Sequence, residues 1–155
     1  MSNHAKSPKR KSRRLQLEPL ECRALLHAGG LASGYVYIDA DNSNTKDPAE
    51  VGVPGVVMNL SGLDASGEEV QLSTLTDDNG HYVFEELEPG TYQISKRQAS
   101  AMRDGQESSS VEGATVRDDV IENMVMADDD AVADNNFGEL GVRAEYLSIL
   151  SCSDC

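Results

Sequence analysis

The chain has 155 residues, 39% of them apolar and only 5% aromatic, with no Trp, which suits one domain with a modest core plus tails. Its net charge is −14, but residues 1–30 hold seven Lys/Arg against two acids, so the rest of the chain carries −19. A body that acidic repels nucleic acid and anionic membranes and attracts cations, and no apolar run approaches the roughly 18–20 residues of a membrane-spanning helix.

Residues 1–14 are polar and basic, a composition expected to be disordered. Residues 15–32, LQLEPLECRALLHAGGLA, form a short apolar segment interrupted by Glu18, Pro19 and Glu21. It follows a basic start but lacks the uninterrupted apolar stretch of a secretory signal, so composition alone leaves its targeting role open. The period then changes to two. GYVYID (34–39) alternates and is rich in β-formers. Further strands are predicted at 53–64, 70–76, 81–87 and 91–97, separated by turns at 65–69, 77–80 and 88–90. The DDNG turn contains an Asn-Gly pair suited to positive φ. Residues 98–118 read as a long polar excursion. A sixth strand is predicted at 119–126, with Val120, Glu122, Met124 and Met126 opposed to Ile121, Asn123 and Val125. After an acidic loop, 127–135, residues 136–142 could close the sheet. About seven short strands with turns at this spacing predict an all-β, Ig-like sandwich over residues 33–141, flanked by segments 1–32 and 142–155.

The stretch most suggestive of chemistry is DADNSNTKDPAE, residues 39–50. Counting Asp39 as position 1, oxygen-bearing side chains fall at positions 1, 3, 5, 7, 9 and 12: Asp39, Asp41, Ser43, Thr45, Asp47 and Glu50. That is the ligand spacing of a twelve-residue calcium loop, in which hard oxygens at alternate positions converge, Thr45 offers its backbone carbonyl and Glu50 can supply two oxygens. Position 6 is Asn44 rather than Gly, and Asn tolerates the left-handed conformation. The flanking sequence reads as strand, so this is a calcium loop on a sandwich and not an EF-hand; the competing reading is a solvated acidic turn. Asp77, with Asp78 and Asn79, fits turn chemistry better than a metal site. Asp128, Asp130 and Asp134 belong to a second acidic run that reads equally as a second cation site or as a solvated loop.

Other reactive residues are sparse. Cys152 and Cys155 form a lone C-x-x-C in the tail with no second pair to complete a zinc site, and Cys22 lies in the N-terminal segment. His4, His27 and His81 are scattered, and no nucleophile–base–carboxylate arrangement suggests catalysis.

Two stretches resemble known families. TDDNGHYVFEELEPGTYQI (76–94) is similar to the T-D-x-x-G-x-Y-x-F-x-x-L-x-P-G-x-Y signature of Cna-B-type, prealbumin-like sandwich modules. Together with GYVYIDADNSNTKDPAEVGVPGVVMNL (34–60), RDGQESS (103–109), DDVIENMVM (118–126) and DNNFGE (134–139), it resembles the SdrD B-like subfamily over about residues 34–140. The resemblance implies a non-enzymatic, calcium-stabilised extracellular or cell-surface module that serves as a spacer or adhesive unit, expected to be monomeric and to meet an extracellular protein or polysaccharide. It also implies that Asp104, with Asp118 and Asp119, could join the second acidic run. Some Cna-B modules cross-link a first-strand Lys to a late Asn, but GYVYID has no Lys. RRLQLEPLECRALLHA (13–28) resembles the L-E-x-L-E-x-R-x-L-L-x-A segment of planctomycete-type secreted proteins, with Cys22 at a position more often acidic, and implies export. Two alternatives stay open: a metal-independent carbohydrate- or peptide-binding accessory domain, and a hydrolase on the prealbumin fold.

Overall fold

The computed structural model describes residues 29–145, and the expectations for the N-terminal segment and the Cys-containing tail lie almost wholly outside them. Ten strands are present: β1 (Gly30–Ile38), β2 (Val57–Asp64), β3 (Glu69–Leu75), β4 (His81–Leu87), β5 (Gly90–Lys96), β6 (Met102–Ser108), β7 (Thr115–Arg117), β8 (Val120–Met126), β9 (Ala131–Val132) and β10 (Asn136–Val142). They form two sheets. One runs β4-β1-β10-β6, with β9 also pairing β1, and the other runs β3-β2-β5-β8-β7. Antiparallel pairs dominate, most of them between strands that are not consecutive in the chain, but β1 and β10 are parallel, with Val36 opposite Phe137 and Ile38 opposite Glu139. This pairing of the first and last strands of the described residues forms the centre of the first sheet.

The core lies between the sheets. Period-two alternation supplies it directly on β2 and β5, where Met58, Leu60, Tyr92 and Ile94 point inward. Tyr82, Phe84 and Phe137 fill the centre, Tyr82 meeting the two Phe rings at centroid separations of 5.9 and 6.3 Å. The buried phenol of Tyr82 donates to the Asn135 carbonyl at 2.6 Å, so its polar tip is satisfied.

The structure corrects the expected pattern in several places. The polar excursion at 98–118 contains β6 and β7, and β1 begins at Gly30, ahead of the boundary expected at residue 33. On β8 the inward residues are Ile121, Met124 and Met126, not one strictly alternating set. The cause is a bulge: Tyr92 pairs with Met124 but Ile94 with Ile121, and Asn123 absorbs the extra residue at φ 58°. A second bulge at Glu86, φ 57°, turns Leu87 into the core. A third separates Asp104 from Glu107 on β6, where three residues oppose the two that separate Phe137 from Glu139.

Because Ile94 is fully buried and Leu72 lies on the exposed edge strand β3, Ile94→Ala should destabilise by about 2–5 kcal/mol and Leu72→Ala by no more than about 0.5 kcal/mol. Urea unfolding of both variants checks this.

Candidate metal centre

The loop after β1 is held by its own carboxylates. Asp39, only 2% exposed, donates its backbone N–H to the Glu139 carbonyl at 2.9 Å, which anchors the loop to β10. Its two carboxylate oxygens accept the N–H groups of Ser43 (3.0 Å) and Asn44 (2.9 Å). Asp41 also accepts from the Ser43 N–H, at 3.1 Å. Glu50 closes the ring by accepting from the N–H groups of Ala40 (3.0 Å) and Asp47 (2.9 Å). Asn42 and Asn44 take left-handed φ values of 57° and 58°, which lets the backbone curl without Gly.

As a result, Asp39, Asp41 and Glu50 each present a carboxylate oxygen to one point, all within 4.8 Å of one another. The other three expected ligands are placed differently. The Ser43 hydroxyl donates to the Thr45 carbonyl at 3.1 Å, and Asp47 stands outside the three-carboxylate group. Lys46 folds back over the Tyr35 ring at 5.2 Å and donates to the Glu50 carbonyl at 3.3 Å. Tyr37, fully buried on the strand that feeds the loop, has a hydroxyl with no hydrogen-bond partner among the described residues. Burial, then the charges of Asp39, Glu50, Asp41 and Asp47, push its pKa up to about 12. Beside the loop runs a groove of about 910 Å³, lined by Tyr35, Thr45, Ser109, Asp134 and Asn136 among others.

The weaker candidates separate. Asp77 caps its hairpin, accepting from the N–H groups of Asn79 (2.8 Å) and His81 (3.0 Å); these bonds, His81 first, lower its pKa. Asp130 caps a turn by accepting from the Ala127 N–H at 2.7 Å. Among the described residues, Asp128, Asp130 and Asp134 do not converge with Asp104 into a three-carboxylate group.

Asp104 instead meets Asp119, its expected neighbour, in a second cluster built around a lysine that the sequence did not single out. Lys96, at the end of β5 with its side chain fully buried, reaches Glu139 at 2.7 Å, Asp119 at 2.8 Å and Asp104 at 3.2 Å. Its partners come from β10, the β7–β8 turn and β6, so one ammonium ties both sheets together. Burial is the largest influence on Lys96 and opposes its charge, but the hydrogen bonds to Asp119 and Glu139 outweigh it and raise the pKa. Gln98 donates to the second Glu139 oxygen at 3.2 Å. Glu107, 8% exposed, faces the same cluster. Burial pushes it up to about 7, against the attraction of Lys96 and with the repulsion of Asp104. The bulge on β6 is what allows Asp104 and Glu107, three residues apart, to face one way. Lys96, Glu107 and Glu139 left no sequence signal, because their contacts are long-range.

A two-sheet sandwich whose first strand runs into a carboxylate-lined loop defines an all-β sandwich module. The chain belongs to the SdrD B-like domain family, which matches residues 32–137. It is similar to Colossin-B of Dictyostelium discoideum, 36% identical over 67 residues, which is 39% of this chain and 2% of that protein. It is also similar to serine-aspartate repeat-containing protein F of Staphylococcus epidermidis, 38% identical over 60 residues, 39% of this chain and 4% of that protein. The chain thus corresponds to a few per cent of the length of these relatives. Among solved structures, the plantain pollen allergen Pla l 1 aligns at TM-score 0.43 and 17% identity, covering 70% of this chain and 92% of that one. The major pilin SpaD of Corynebacterium diphtheriae aligns at TM-score 0.43 and 18% identity, covering 72% and 32%.

Glu107 makes a pH prediction for the cation-free protein. Its folded pKa of about 7 exceeds the ordinary 4.5, so its contribution to stability is fully present below about pH 4.5 and is lost as pH rises through 7. The loss is on the order of 3 kcal/mol. Glu107→Gln should therefore melt near the wild type at pH 4 and several degrees above it at pH 8 in EDTA. Melts monitored by circular dichroism check the crossover.

Proposed function

We propose that this protein is a calcium-rigidified structural module of an extracellular or cell-surface protein, acting as a spacer or adhesion unit without catalysis. The observation that carries the reading is the convergence of Asp39, Asp41 and Glu50 within 4.8 Å on a loop with calcium-ligand spacing. The donor set fits a hard cation: oxygens only, three of them carboxylate, beside the unpartnered Tyr37 hydroxyl. Asp39, Asp41 and Glu50 would hold the ion, with the Ser43 side chain, the Thr45 carbonyl and Asp47 as further donors. Membership of the SdrD B-like family supports the structural role.

The mechanism is electrostatic. The body of the chain carries −19, and three carboxylates share one small loop. A divalent ion offsets their repulsion and fixes the chain between β1 and β2. Extracellular modules of this kind bind calcium with Kd on the order of 10⁻⁴–10⁻³ M, and free calcium at about 100 times Kd stabilises by about 2.7 kcal/mol. That is a large share of a small domain's stability.

No aromatic is among the exposed large apolar side chains of the described residues, and the Tyr35 ring is engaged by Lys46 and His81. This weighs against a carbohydrate-stacking surface and favours the structural reading over a binding accessory domain.

The melting temperature should rise by several degrees as calcium is titrated to several millimolar, and not with magnesium. Asp39→Ala and Glu50→Ala should each diminish that gain. Asp64→Ala should lower the melting temperature yet leave the gain intact, because Asp64 caps the β2–β3 turn through Ser66 and Glu68. A melt of the wild type indifferent to calcium would reduce the loop to an acidic turn.

A further inference from the structure

We propose that β3 is an open pairing edge through which two copies of this chain associate, strand against strand, about a two-fold axis. The sheets of the described residues end in four edge strands, β4, β6, β3 and β7. Three of them are blunted in the usual ways, by charge, irregularity or shortness. β4 carries Glu85 and Glu86, the second in a left-handed bulge. β6 carries Arg103, Asp104 and Glu107 and has two shifts of register. β7 has three residues and ends in Arg117. β3 has none of these devices. It is seven residues long, EVQLSTL, without Pro, and pairs with β2 in unbroken register from Val57–Leu75 to Leu63–Glu69. Its one charged residue, Glu69, is its first.

The hydrogen bonds show which way the unused groups of β3 point. The Asp64 N–H donates to the Glu68 carbonyl at 3.0 Å, and the Thr76 N–H donates to the Val56 carbonyl at 3.0 Å. The residues flanking β3 at both ends, Glu68 and Thr76, therefore bond towards β2. Alternation along an antiparallel strand then gives the N–H and C=O groups of Val70, Leu72 and Thr74 to β2. Those of Glu69, Gln71, Ser73 and Leu75 point outward, where no strand of the described residues pairs with them. Leu72 and Leu75 on the same strand are 41% and 60% exposed.

Charge and symmetry select a second copy as the occupant. The chain beyond residue 30 carries −19, so two copies repel almost wherever they meet. The β2–β3 hairpin is an exception. Its acids, Asp64, Glu68 and Glu69, sit together at the turn, and residues 57–63 and 70–75 hold no charge. An antiparallel pairing centred on Leu72 sets the two acidic turns at opposite ends of the joined strands, whereas a parallel pairing sets them side by side. In the centred register Gln71 faces Ser73 of the second copy and Glu69 faces Leu75. These are the residues with outward groups, so each pair can exchange both backbone bonds. Leu72 meets its own counterpart at a position without backbone bonds, where side chains approach most closely. The contact is isologous and closes at two copies. One strand pair buries less than the roughly 1,200 Å² of a standard interface, so the association is weak and departs from the expected monomer only at high concentration. Where copies are displayed close together, as on a cell surface, a high effective concentration makes such a contact count. The edge shares no residue with the loop at 39–50, so it stands or falls separately from the calcium reading.

The test is sedimentation equilibrium of the full chain over a concentration series into the millimolar range, with calcium present and at low and high salt. Reductant keeps Cys22, Cys152 and Cys155 from cross-linking. The average mass should climb towards that of a dimer at both salt concentrations. Ser73→Pro removes an outward N–H that the β2 ladder does not use, and should weaken dimerisation by about tenfold or more. Gln71→Glu/Ser73→Glu opposes like charges in both central pairs and should do the same. Mixed with Gln71→Lys/Ser73→Lys, it should regain a dimer containing one copy of each. A chain that stays monomeric at every concentration overturns the proposal, as does a dimer that the variants leave unchanged. A dimer that high salt dissolves also overturns it, because that is how the basic N-terminal segment of one copy would meet the acidic body of another. Should Ser73→Pro not fold, the two charge variants and their mixture decide.

Discussion

The Lys96–Glu139 ion pair is the contact on which the arrangement of this sandwich depends. Lys96 ends β5 in one sheet and Glu139 lies on β10 in the other, and the 2.7 Å contact is buried on both sides. A buried ion pair repays its desolvation only when the remaining donors and acceptors are met. Here Asp104, Asp119 and Gln98 complete the set. The consequence reaches the loop, because the same Glu139 that holds Lys96 through its side chain holds Asp39 through its carbonyl. One residue of β10 thus connects the inter-sheet anchor with the start of the acidic loop, and the parallel β1–β10 pairing keeps the two in register.

The excess of negative charge is managed locally rather than spread over the surface. Asp39, Asp41, Glu50, Asp64, Asp77 and Asp130 all accept backbone N–H bonds in the turns where they sit. Each carboxylate shapes a connection as it is stabilised by the amides around it. Only where the carboxylates converge does this device fall short. Three share the loop at 39–50 and three more meet beside Lys96.

Bulges give the β-strands their functional faces. A regular strand would send Asp104 and Glu107 to opposite sides, since side chains alternate. The irregular β6–β10 register turns both inward. Asn123 does the same for Met124 relative to Ile121, and Glu86 for Leu87. Polar residues in left-handed conformations thus correct the alternation at two places to feed the core, and the irregular register of β6 does so at a third to build the cluster.

The sequence by itself determined the all-β class, the strands from β2 to β5 and the acidic loop. Those features are written in short-range chemistry: alternation in MNL and TYQI, the Asn79–Gly80 and Pro89–Gly90 turns, and oxygens at alternate positions from Asp39 to Glu50. It did not show β6 or β7, whose residues are too polar to read as strand, nor the hydrogen bonds by which Ser43 and Asp47 are held within the loop. Of the Lys96 cluster, the family resemblance grouped Asp104 with Asp118 and Asp119, but Lys96, Glu107 and Glu139 were beyond it. The cluster's members are separated by up to 43 residues, so only the pairing of distant strands brings them together. An isolated lysine or glutamate in a sequence looks the same whether it ends in solvent or in the core. Tertiary structure decided that difference, because burial strips water from a charge and leaves its energy to the neighbours the fold supplies.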